Sequence, residues 1–406
     1  MITWPTHTDY LESLQEPKHS FDSQELRDCI VATDLFGLPR VTSGNFASVY
    51  EITTTENQRW ALRCFVRQVA GQQGRYALLS QYLSGVKVPW LVSFDYIQKG
   101  VLVQNEWYPV VKMQWIDGLP LNQYLEEHHA DLAKVTSLAE QWCKLISDLA
   151  QNTIAHGDLQ HGNIMVTSTH ELRLVDYDGM YCPAFGKGRS PELGHANFQH
   201  AARTEDFYDE SLDRFSALVI YLSFLALATD PALWKKFHSG DNLLFHADDL
   251  KHPNYTQIWR SLERSPSTEV VMLTRFLGRC CCAPPDAIPS LEDICKASAA
   301  GTLASLGLVS KNQKSTALPG YLLEETPASA PAGGEVAVKP VAEVNTVPRA
   351  NRSVLAADRV RRGGGVLDMA KKNVQAPQDE SLVMYKRLFF GMCALGGLAL
   401  VYFLLT

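Results

Sequence analysis

The sequence predicts an α+β protein of two lobes, a small β-rich lobe and a larger helical lobe, followed by a tether and one C-terminal apolar helix. Three observations predict this order. Between residues 38 and 115, short strand-like segments alternate with turns around one helical stretch. Residues 131–151 carry apolar side chains at three- and four-residue steps, as a helix with one buried face does. After about residue 320 the chain is rich in Pro, Ala and Gly, which is typical of a segment without a packed core.

The composition is that of an ordinary globular protein and argues against nucleic acid as a partner. Of the 406 residues, 46% are hydrophobic and 20% are charged, and the formal net charge is −7. Nucleic-acid binding depends on clustered Lys and Arg side chains, and a mildly acidic chain has no general attraction for phosphates. The nine cysteines lack the paired spacing of a zinc site, so we expect reduced, mostly buried thiols.

The small lobe is predicted from five strand-like segments and one helix. The helix, Arg75–Leu83, falls between the third and the fourth strand. We expect this mixed lobe to come first and the helices of the larger lobe to follow. The predicted strands are Leu38–Val41, Ser48–Thr53, Arg59–Phe65, Leu91–Tyr96 and Val110–Gln114.

The end of the chain predicts a membrane anchor. Leu388–Leu405 is an uncharged run of eighteen residues, with Lys386 and Arg387 before it. Such a run just spans a bilayer, and the basic residues favour a cytoplasmic position for its N-terminal side. The alternative, a buried core helix, has no domain to enter. A second apolar run, Phe215–Ala228, is too short to cross a membrane, so we expect a buried helix of the larger lobe.

Two motifs carry the strongest signal for chemistry. The sequence HGDLQHGN occupies residues 156–163, and DYDG follows at residues 176–179. Phosphoryl transfer from ATP needs a carboxylate beside the attacking hydroxyl and oxygen ligands for the magnesium ion that bridges the phosphates. Asp158, Asn163 and Asp176 supply such atoms, at spacings of five and then thirteen residues.

These motifs resemble the catalytic loop and the metal-binding segment of protein kinases, where the patterns are HRD, a following Asn, and DFG. Together, HGDLQHGN and DYDG look like a bacterial family of eukaryotic-type protein-kinase-like proteins. The resemblance covers about residues 38–300 and implies a two-lobed protein-kinase-like fold, ATP and Mg²⁺ as cofactors, and an unidentified protein as substrate. It implies that Asp158 is the catalytic residue and that Asn163 and Asp176 bind the metal.

The resemblance also assigns nucleotide-binding residues in the small lobe. Gly44 matches the second glycine of the nucleotide-covering loop, Phe46 matches the tip of that loop, and Val49 matches the residue that packs on the base. Ala61 and Arg63, in the segment WALR, stand where the family pattern has VAIK.

Further along, the resemblance implies a hinge and an anchor for the catalytic loop. Met113, Gln114 and Trp115 resemble the hinge that receives adenine through backbone groups. Asp213, at the start of the apolar run in the larger lobe, resembles the residue that ties down the catalytic loop. The same position suits a helix N-cap, and one side chain can serve both roles.

Four departures from the kinase pattern bear on activity. Arg63 replaces the phosphate-binding lysine, and Asn57–Phe94 contains no Asp or Glu, so the usual lysine–glutamate pair cannot form. Gly157 replaces the arginine of HRD, which removes the usual partner of a phosphorylated loop. Gln160 stands where protein kinases place a lysine near the transferred phosphate. Asp178 is either a second metal ligand or a turn former; we favour Asp176 as the sole ligand of the two.

Three functions remain open from the sequence. The first is an ATP- and magnesium-dependent Ser/Thr protein kinase, the second a pseudokinase that serves as a membrane-anchored binding platform, and the third a small-molecule phosphotransferase. Arg75 lies near the position of the missing glutamate and either faces the phosphates or is exposed.

We expect a single-pass membrane protein with its kinase-like domain in the cytoplasm. Its predicted parts are an N-terminal helical extension (1–37), the kinase-like domain (38–300), a flexible tether (301–384) and a tail anchor (385–406).

Overall fold

A six-stranded antiparallel sheet forms the small lobe of the structure, a computed structural model that describes residues 4–43, 47–68 and 71–310. These residues belong to the first of two units of the chain, Met1–Tyr321. The strands are β1 (Ile30–Val31), β2 (Val41–Ser43), β3 (Ala47–Thr53), β4 (Arg59–Phe65), β5 (Phe94–Val103) and β6 (Glu106–Gln114). Their order is β1-β3-β4-β6-β5, and β2 pairs with β3.

The sequence predicted β4 with its observed bounds but underestimated β5 and β6. Gln104 and Asn105, both with positive φ, form the two-residue turn between them. A turn of this kind matches the twist of an antiparallel hairpin, so both strands continue up to it. The sheet also begins earlier than the predicted boundary at residue 38, because β1 pairs with β3.

Three short helices before β1 cover one face of this sheet: α1 (His7–Ser13), α2 (Pro17–Ser20) and α3 (Gln24–Arg27). Thr6 and Asp9 form a capping box that starts α1. Tyr10 is fully buried, and its hydroxyl donates to the carbonyl oxygen of Phe65 at 2.6 Å. The N-terminal segment therefore forms a hydrophobic core with the small lobe.

The other face of the sheet meets α4 (Gln72–Ser84) and the larger lobe. Tyr76 and Leu79 of α4 are buried, and the ring of Tyr76 packs edge-on against Phe94 with centroids 5.6 Å apart. The apolar side chains at this face continue into the core of the larger lobe. The side chains on this face of β3, β4 and β6 therefore point toward the larger lobe, which contains the HGDLQHGN loop.

The larger lobe is built around two long helices, α6 (Leu132–Gln151) and α7 (Arg214–Thr229), which pack against each other; the Trp142 Nε1–H donates to the Ala217 carbonyl oxygen at 3.0 Å. A small sheet of three strands precedes α7 in the chain, and its last two strands come between α6 and α7. Its strands are β7 (Gly118–Pro120), β8 (Ile164–Thr167) and β9 (Leu172–Leu174). The helices are α5 (Leu121–His128), α6 (Leu132–Gln151), α7 (Arg214–Thr229), α8 (Ala232–Phe237), α9 (Ala247–Lys251), α10 (Gln257–Leu262), α11 (Thr268–Cys282) and α12 (Leu291–Ala299).

The apolar run that forms α7 is a core helix, as predicted. Most of its side chains are buried, including the polar Ser216 and Ser223, whose hydroxyls donate to carbonyl oxygens of the preceding turn. Within the described residues, no helix has the length and apolarity needed to cross a bilayer. The predicted anchor, Leu388–Leu405, lies outside the described residues.

Candidate functional site

The catalytic loop is fixed to α7 through its backbone. The N–H of Gly157 donates to Asp213 Oδ1 at 2.8 Å, and the N–H of His156 donates to Asp213 Oδ2. Burial raises the pKa of Asp213, and the two amides and His156 oppose that rise by stabilising the carboxylate. Asp213 stands at the N-cap of α7 but makes no side-chain bond to the helix. Of the two roles open from the sequence, it therefore performs only the anchoring of the loop.

Asp158 lies at the centre of this loop with both carboxylate oxygens oriented. The Asn163 amide donates to Asp158 Oδ2 at 2.9 Å and also to the Asp158 carbonyl oxygen at 2.9 Å. Gln160 Nε2 donates to the same Oδ2 at 3.3 Å. From another part of the chain, the N–H of His195 donates to Oδ1 at 2.7 Å. The predicted catalytic carboxylate and one predicted metal ligand thus form one hydrogen-bonded group.

Asp176 and Asp178 are placed by the tyrosine between them. Tyr177 is fully buried; its hydroxyl accepts from the Val92 N–H at 2.8 Å and donates to the Leu174 carbonyl oxygen at 3.0 Å. Asp176 has φ +65°, so this segment is not the extended strand that the sequence interpretation assumed. The two acidic side chains nevertheless reach one common partner in the small lobe.

That partner is Arg63 on β4. Its guanidinium makes a bidentate contact with Asp176, at 2.6 Å from Nη1 to Oδ1 and 3.1 Å from Nη2 to Oδ2, and a third contact from Nη2 to Asp178 Oδ2 at 2.8 Å. Burial disfavours the charge on Arg63, but Asp176 and Asp178 outweigh it and raise the pKa of the guanidinium. Burial raises the pKa of Asp178, and Arg63 opposes this effect.

Asp178 therefore has a role that neither sequence alternative included, as an ion-pair partner of Arg63. It also accepts a hydrogen bond from the hydroxyl of Tyr76 on α4. The helix itself offers Arg63 no carboxylate, as the sequence predicted. The acidic partners come instead from the segment that carries the predicted metal ligand.

Arg75 on α4 takes neither of the two orientations considered from the sequence. It donates to the carbonyl oxygens of Asp178, at 3.0 Å, and of Met180, and to the Tyr208 hydroxyl at 2.7 Å. Its guanidinium lies over the Phe185 ring, 4.4 Å from the centroid. Arg75 thus connects the small lobe to the segment after DYDG and does not face a phosphate position. Sequence spacing placed it on the correct helix but could not reveal these distant acceptors.

Four of the predicted nucleotide-binding residues, Val49, Ala61, Arg63 and Met113, share one face of the sheet. Val49 is the cross-strand partner of Arg63, and Ala61 is the partner of Met113. Because side chains alternate along a strand, Ala61 and Arg63 point to the same side. Gly44 and Phe46 lie outside the described residues.

The predicted hinge residues follow directly at the end of β6. The N–H of Gln114 donates to the Ser93 carbonyl oxygen at 2.9 Å, and that of Trp115 donates to the Arg59 carbonyl oxygen at 3.1 Å. The Arg59 guanidinium also lies over the Trp115 ring at 5.2 Å. Two amides of the predicted hinge are therefore engaged within the small lobe. Whether this segment receives adenine stays a prediction.

Glu192 is a member of the site that the sequence analysis missed. Its Oε1 lies against Gly179, and a Cβ on that glycine would come within 2.5 Å of this oxygen. Burial and the neighbouring carboxylates of Asp176, Asp158 and Asp178 raise the pKa of Glu192 to about 8. The residue belongs to a long loop, so no periodic pattern could have indicated that its side chain turns toward the site.

The oxygen atoms of Asp176 and Asn163 suit magnesium chemically, but in the structure the Asp176 carboxylate pairs with Arg63. Carboxylate and amide oxygens, as on Asp176 and Asn163, are the ligands that Mg²⁺ prefers. Both oxygens of Asp176 contact the guanidinium. Within the described residues, no group of three or more His, Cys, Asp or Glu side chains is arranged to hold a metal ion. A metal ion at Asp176 would therefore share this carboxylate with Arg63 or take over one of its contacts.

Comparison with known proteins agrees with this geometry. Residues 38–182 match a family model described as protein tyrosine and serine/threonine kinase. The match spans β2 to β9, the catalytic loop and Asp176, and it supports a protein-kinase-like family. No curated protein matches the chain. The curled small-lobe sheet and the helical lobe after it fit a kinase-like fold.

Proposed function

We propose that the chain is an ATP- and magnesium-dependent protein kinase that transfers the γ-phosphate to a Ser or Thr hydroxyl of a protein near a membrane. The observation that carries this proposal is the orientation of Asp158. One of its carboxylate oxygens is held by Asn163 and Gln160, and the other by the amide of His195. A general base must be fixed within reach of the proton that it accepts, and this carboxylate is fixed by the loop that would also bind the metal.

The side chains divide the work of transfer between the two lobes. Asp158 would orient the attacking hydroxyl and take its proton. Asn163 and Asp176 would hold magnesium, which supplies positive charge at the bridging phosphate oxygens when it is bound. Among the described residues of the sheet, Arg63 is the one whose charge reaches this site. A guanidinium can bind a phosphate with two parallel hydrogen bonds.

Nucleotide binding would then be an exchange of partners at Arg63. In the structure this side chain is only 14% exposed and is neutralised by two carboxylates. An incoming metal ion would compensate Asp176, and the phosphates would compensate Arg63. The exchange gives Asp176 and Arg63 new charge partners, whereas Asp178 keeps the hydrogen bond from the Tyr76 hydroxyl.

The same contacts support a second candidate, a pseudokinase. A guanidinium that already holds Asp176 and Asp178 stabilises the site without nucleotide. In that case the kinase-like domain would serve as a binding platform and would not turn over ATP. The two candidates differ in one measurable respect, because only the first requires Asp158 for phosphate transfer.

The experiment incubates the full-length protein with labelled ATP, magnesium or manganese, and a generic protein substrate. Asp158→Asn should reduce transfer by about a hundredfold or more while ATP affinity changes little, because the carboxylate meets the hydroxyl and not the phosphates. Asp230→Asn is the control, since that exposed carboxylate only caps the start of α8. Equal transfer by Asp158→Asn and wild type would refute the catalytic assignment. ATP binding without any transfer by the wild type would favour the pseudokinase.

The membrane part of the proposal rests on the sequence of the tail alone. Deleting Tyr385–Thr406 should move the protein from the membrane fraction to the soluble fraction, since it removes the uncharged run Leu388–Leu405. The thermal unfolding of the kinase-like domain should change little. A truncated protein that still sediments with membranes would rule out the simple tail anchor.

A further inference from the structure

The loop from Gly179 to Arg203, here called the activation segment, packs against the catalytic loop at a position where kinases of the HRD type carry an arginine. Here that position is Gly157, with φ +81°. A Cβ on Gly157 would overlap the carbonyl group of Gly179, so the site has no room for any side chain. The activation segment occupies the space itself, and an arginine cannot reach it from the catalytic loop.

Arg203 brings a guanidinium to this place from the other side. It is 7% exposed, and its Nη1 donates to the Gly157 carbonyl oxygen at 2.7 Å and to Gln199 Oε1 at 2.6 Å. Its Nη2 donates to Ser190 Oγ at 3.3 Å and to the Glu192 carbonyl oxygen at 3.2 Å. One buried side chain thus connects the catalytic loop to the middle of the activation segment, at Ser190 and Glu192, and to its C-terminal part, at Gln199.

The activation segment contains one Ser and no Thr, and that serine is buried among these contacts. Ser190 is 3% exposed. Its hydroxyl donates to the Glu192 carbonyl oxygen at 2.6 Å, and its N–H donates to the Glu205 carbonyl oxygen at 2.7 Å. In many kinases a new arginine–phosphate pair orders this loop. Here the unmodified hydroxyl already contacts an arginine.

The segment that Arg203 holds also orients the proposed base. Gly194, with φ +71°, packs against Asp158, and the next amide, His195 N–H, donates to Asp158 Oδ1. Between Ser190 and His195 the chain passes Glu192, whose carbonyl accepts from Arg203. A displacement of the segment would therefore remove a hydrogen bond from the carboxylate.

We propose that Arg203 is a positioning residue that holds the activation segment against the catalytic loop without phosphorylation. The consequence for activity rests on the proposed function, since it concerns the orientation of Asp158. The ordering of the segment does not, because it is a property of the folded chain. Two separate readouts can therefore be compared.

The first readout is amide hydrogen exchange of phosphatase-treated, full-length protein whose lack of phosphate has been checked by intact mass. Peptides covering residues 188–198 should be protected in the wild type. Arg203→Met should raise their exchange by about tenfold, because hydrogen bonds from a charged, buried donor are lost. Arg203→Lys keeps the charge without the fork and should give a smaller rise. Arg279→Met is the control, since that arginine donates to two backbone carbonyl oxygens far from the site.

The second readout is kinetic. If the proposed kinase activity is found, Arg203→Lys should lower kcat and leave KM for ATP nearly unchanged, because the side chain acts on Asp158 and not on the nucleotide. If Arg203→Met does not fold, Arg203→Lys and Ser190→Ala carry the exchange test, with increased exchange confined to residues 188–198.

Unchanged protection of residues 188–198 in the Lys variant and in each folded companion variant would overturn the proposal. So would a wild-type segment that becomes protected only after phosphorylation of Ser190 or Tyr181. A wild type that is protected yet inactive would refute the kinase activity and leave the role of Arg203 standing.

Discussion

The two halves of the candidate site are built differently. The half in the larger lobe contains the polar residues that we propose for phosphoryl transfer, and backbone amides hold the carboxylates of Asp158 and Asp213 in place. The half in the small lobe has an arginine in place of the usual lysine and no acidic residue on α4. Its cation therefore pairs across the cleft, with Asp176 and Asp178.

This difference shows that the lysine–glutamate pair of the kinase pattern is replaced by other contacts in this chain. In a usual active kinase the helix of the small lobe is held in place by a glutamate that pairs with the lysine. Here Arg75 and Tyr76 fix the position of α4, because both contact the segment after β9 directly. The small lobe and the DYDG segment are consequently coupled by side chains that the kinase pattern does not include.

The largest effect is expected when the cation of the small-lobe half, Arg63, is removed. Arg63→Ala should weaken ATP binding by about tenfold or more and lower the free energy of unfolding by about 3 kcal/mol, because Asp176 and Asp178 lose their charge partner. Arg63→Lys should retain part of both. Calorimetric ATP titration and urea unfolding measure the two effects.

Lys112→Ala is a matched control for Arg63→Ala. Lys112 is 7% exposed on its side chain and pairs with Glu25 and Asp95, on the opposite face of the same sheet. Its loss should lower the free energy of unfolding by less than the loss of Arg63, because Glu25 and Asp95 are exposed to water, and it should leave ATP affinity unchanged. If Arg63→Ala and Lys112→Ala both leave ATP affinity unaltered, Arg63 has no phosphate role and the pseudokinase becomes the better interpretation.

The coupling through α4 can be weakened without touching the ion pairs. Arg75→Met removes a donor to Asp178, Met180 and Tyr208 but keeps an apolar side chain over Phe185. We expect the free energy of unfolding to fall by about 2 kcal/mol, since the Asp178 carbonyl oxygen loses its charged donor, while the Met180 carbonyl oxygen keeps the Tyr208 hydroxyl. Gln73→Met, an exposed change on the same helix, is the control. Thermal unfolding of both variants decides whether Arg75 is needed to hold this segment.

The smallest expected effect concerns Glu192 and pH. Its pKa is about 8 in the folded protein against an ordinary value of 4.5, so between these values the folded state binds more protons than the unfolded state. Stability must then fall as the pH rises through this window. Glu192→Gln has no group at this position that titrates in this range, so its free energy of unfolding should rise relative to that of the wild type as the pH is raised from 5 to 8. Parallel urea unfolding curves for both proteins across this range would contradict the proposed burial of Glu192.

Much of the fold could be predicted because local patterns cause it. A strand-like segment between turns predicted β4, apolar residues at three- and four-residue steps predicted α6, and an uninterrupted apolar run predicted the buried α7. The motifs HGDLQHGN and DYDG placed Asp158 and Asn163 in one group, because a short loop brings residues five apart into contact. The anchoring role of Asp213 was predicted from the resemblance to protein kinases, since its contact with Gly157 joins residues 56 apart.

Only the tertiary structure decided what the charged side chains contact. Arg63 and Asp176 are separated by 113 residues, and Arg203 meets Gly157 across 46. No periodicity links such positions, since they become neighbours only when two lobes and a long loop have packed. The sequence by itself predicted β4, α6 and α7 and identified Asp158, Asn163, Asp176 and Arg63 as polar groups of the site, but it missed Glu192. Which cation neutralises which carboxylate was settled by packing, because a charge removed from water must pair with whatever the fold brings within reach.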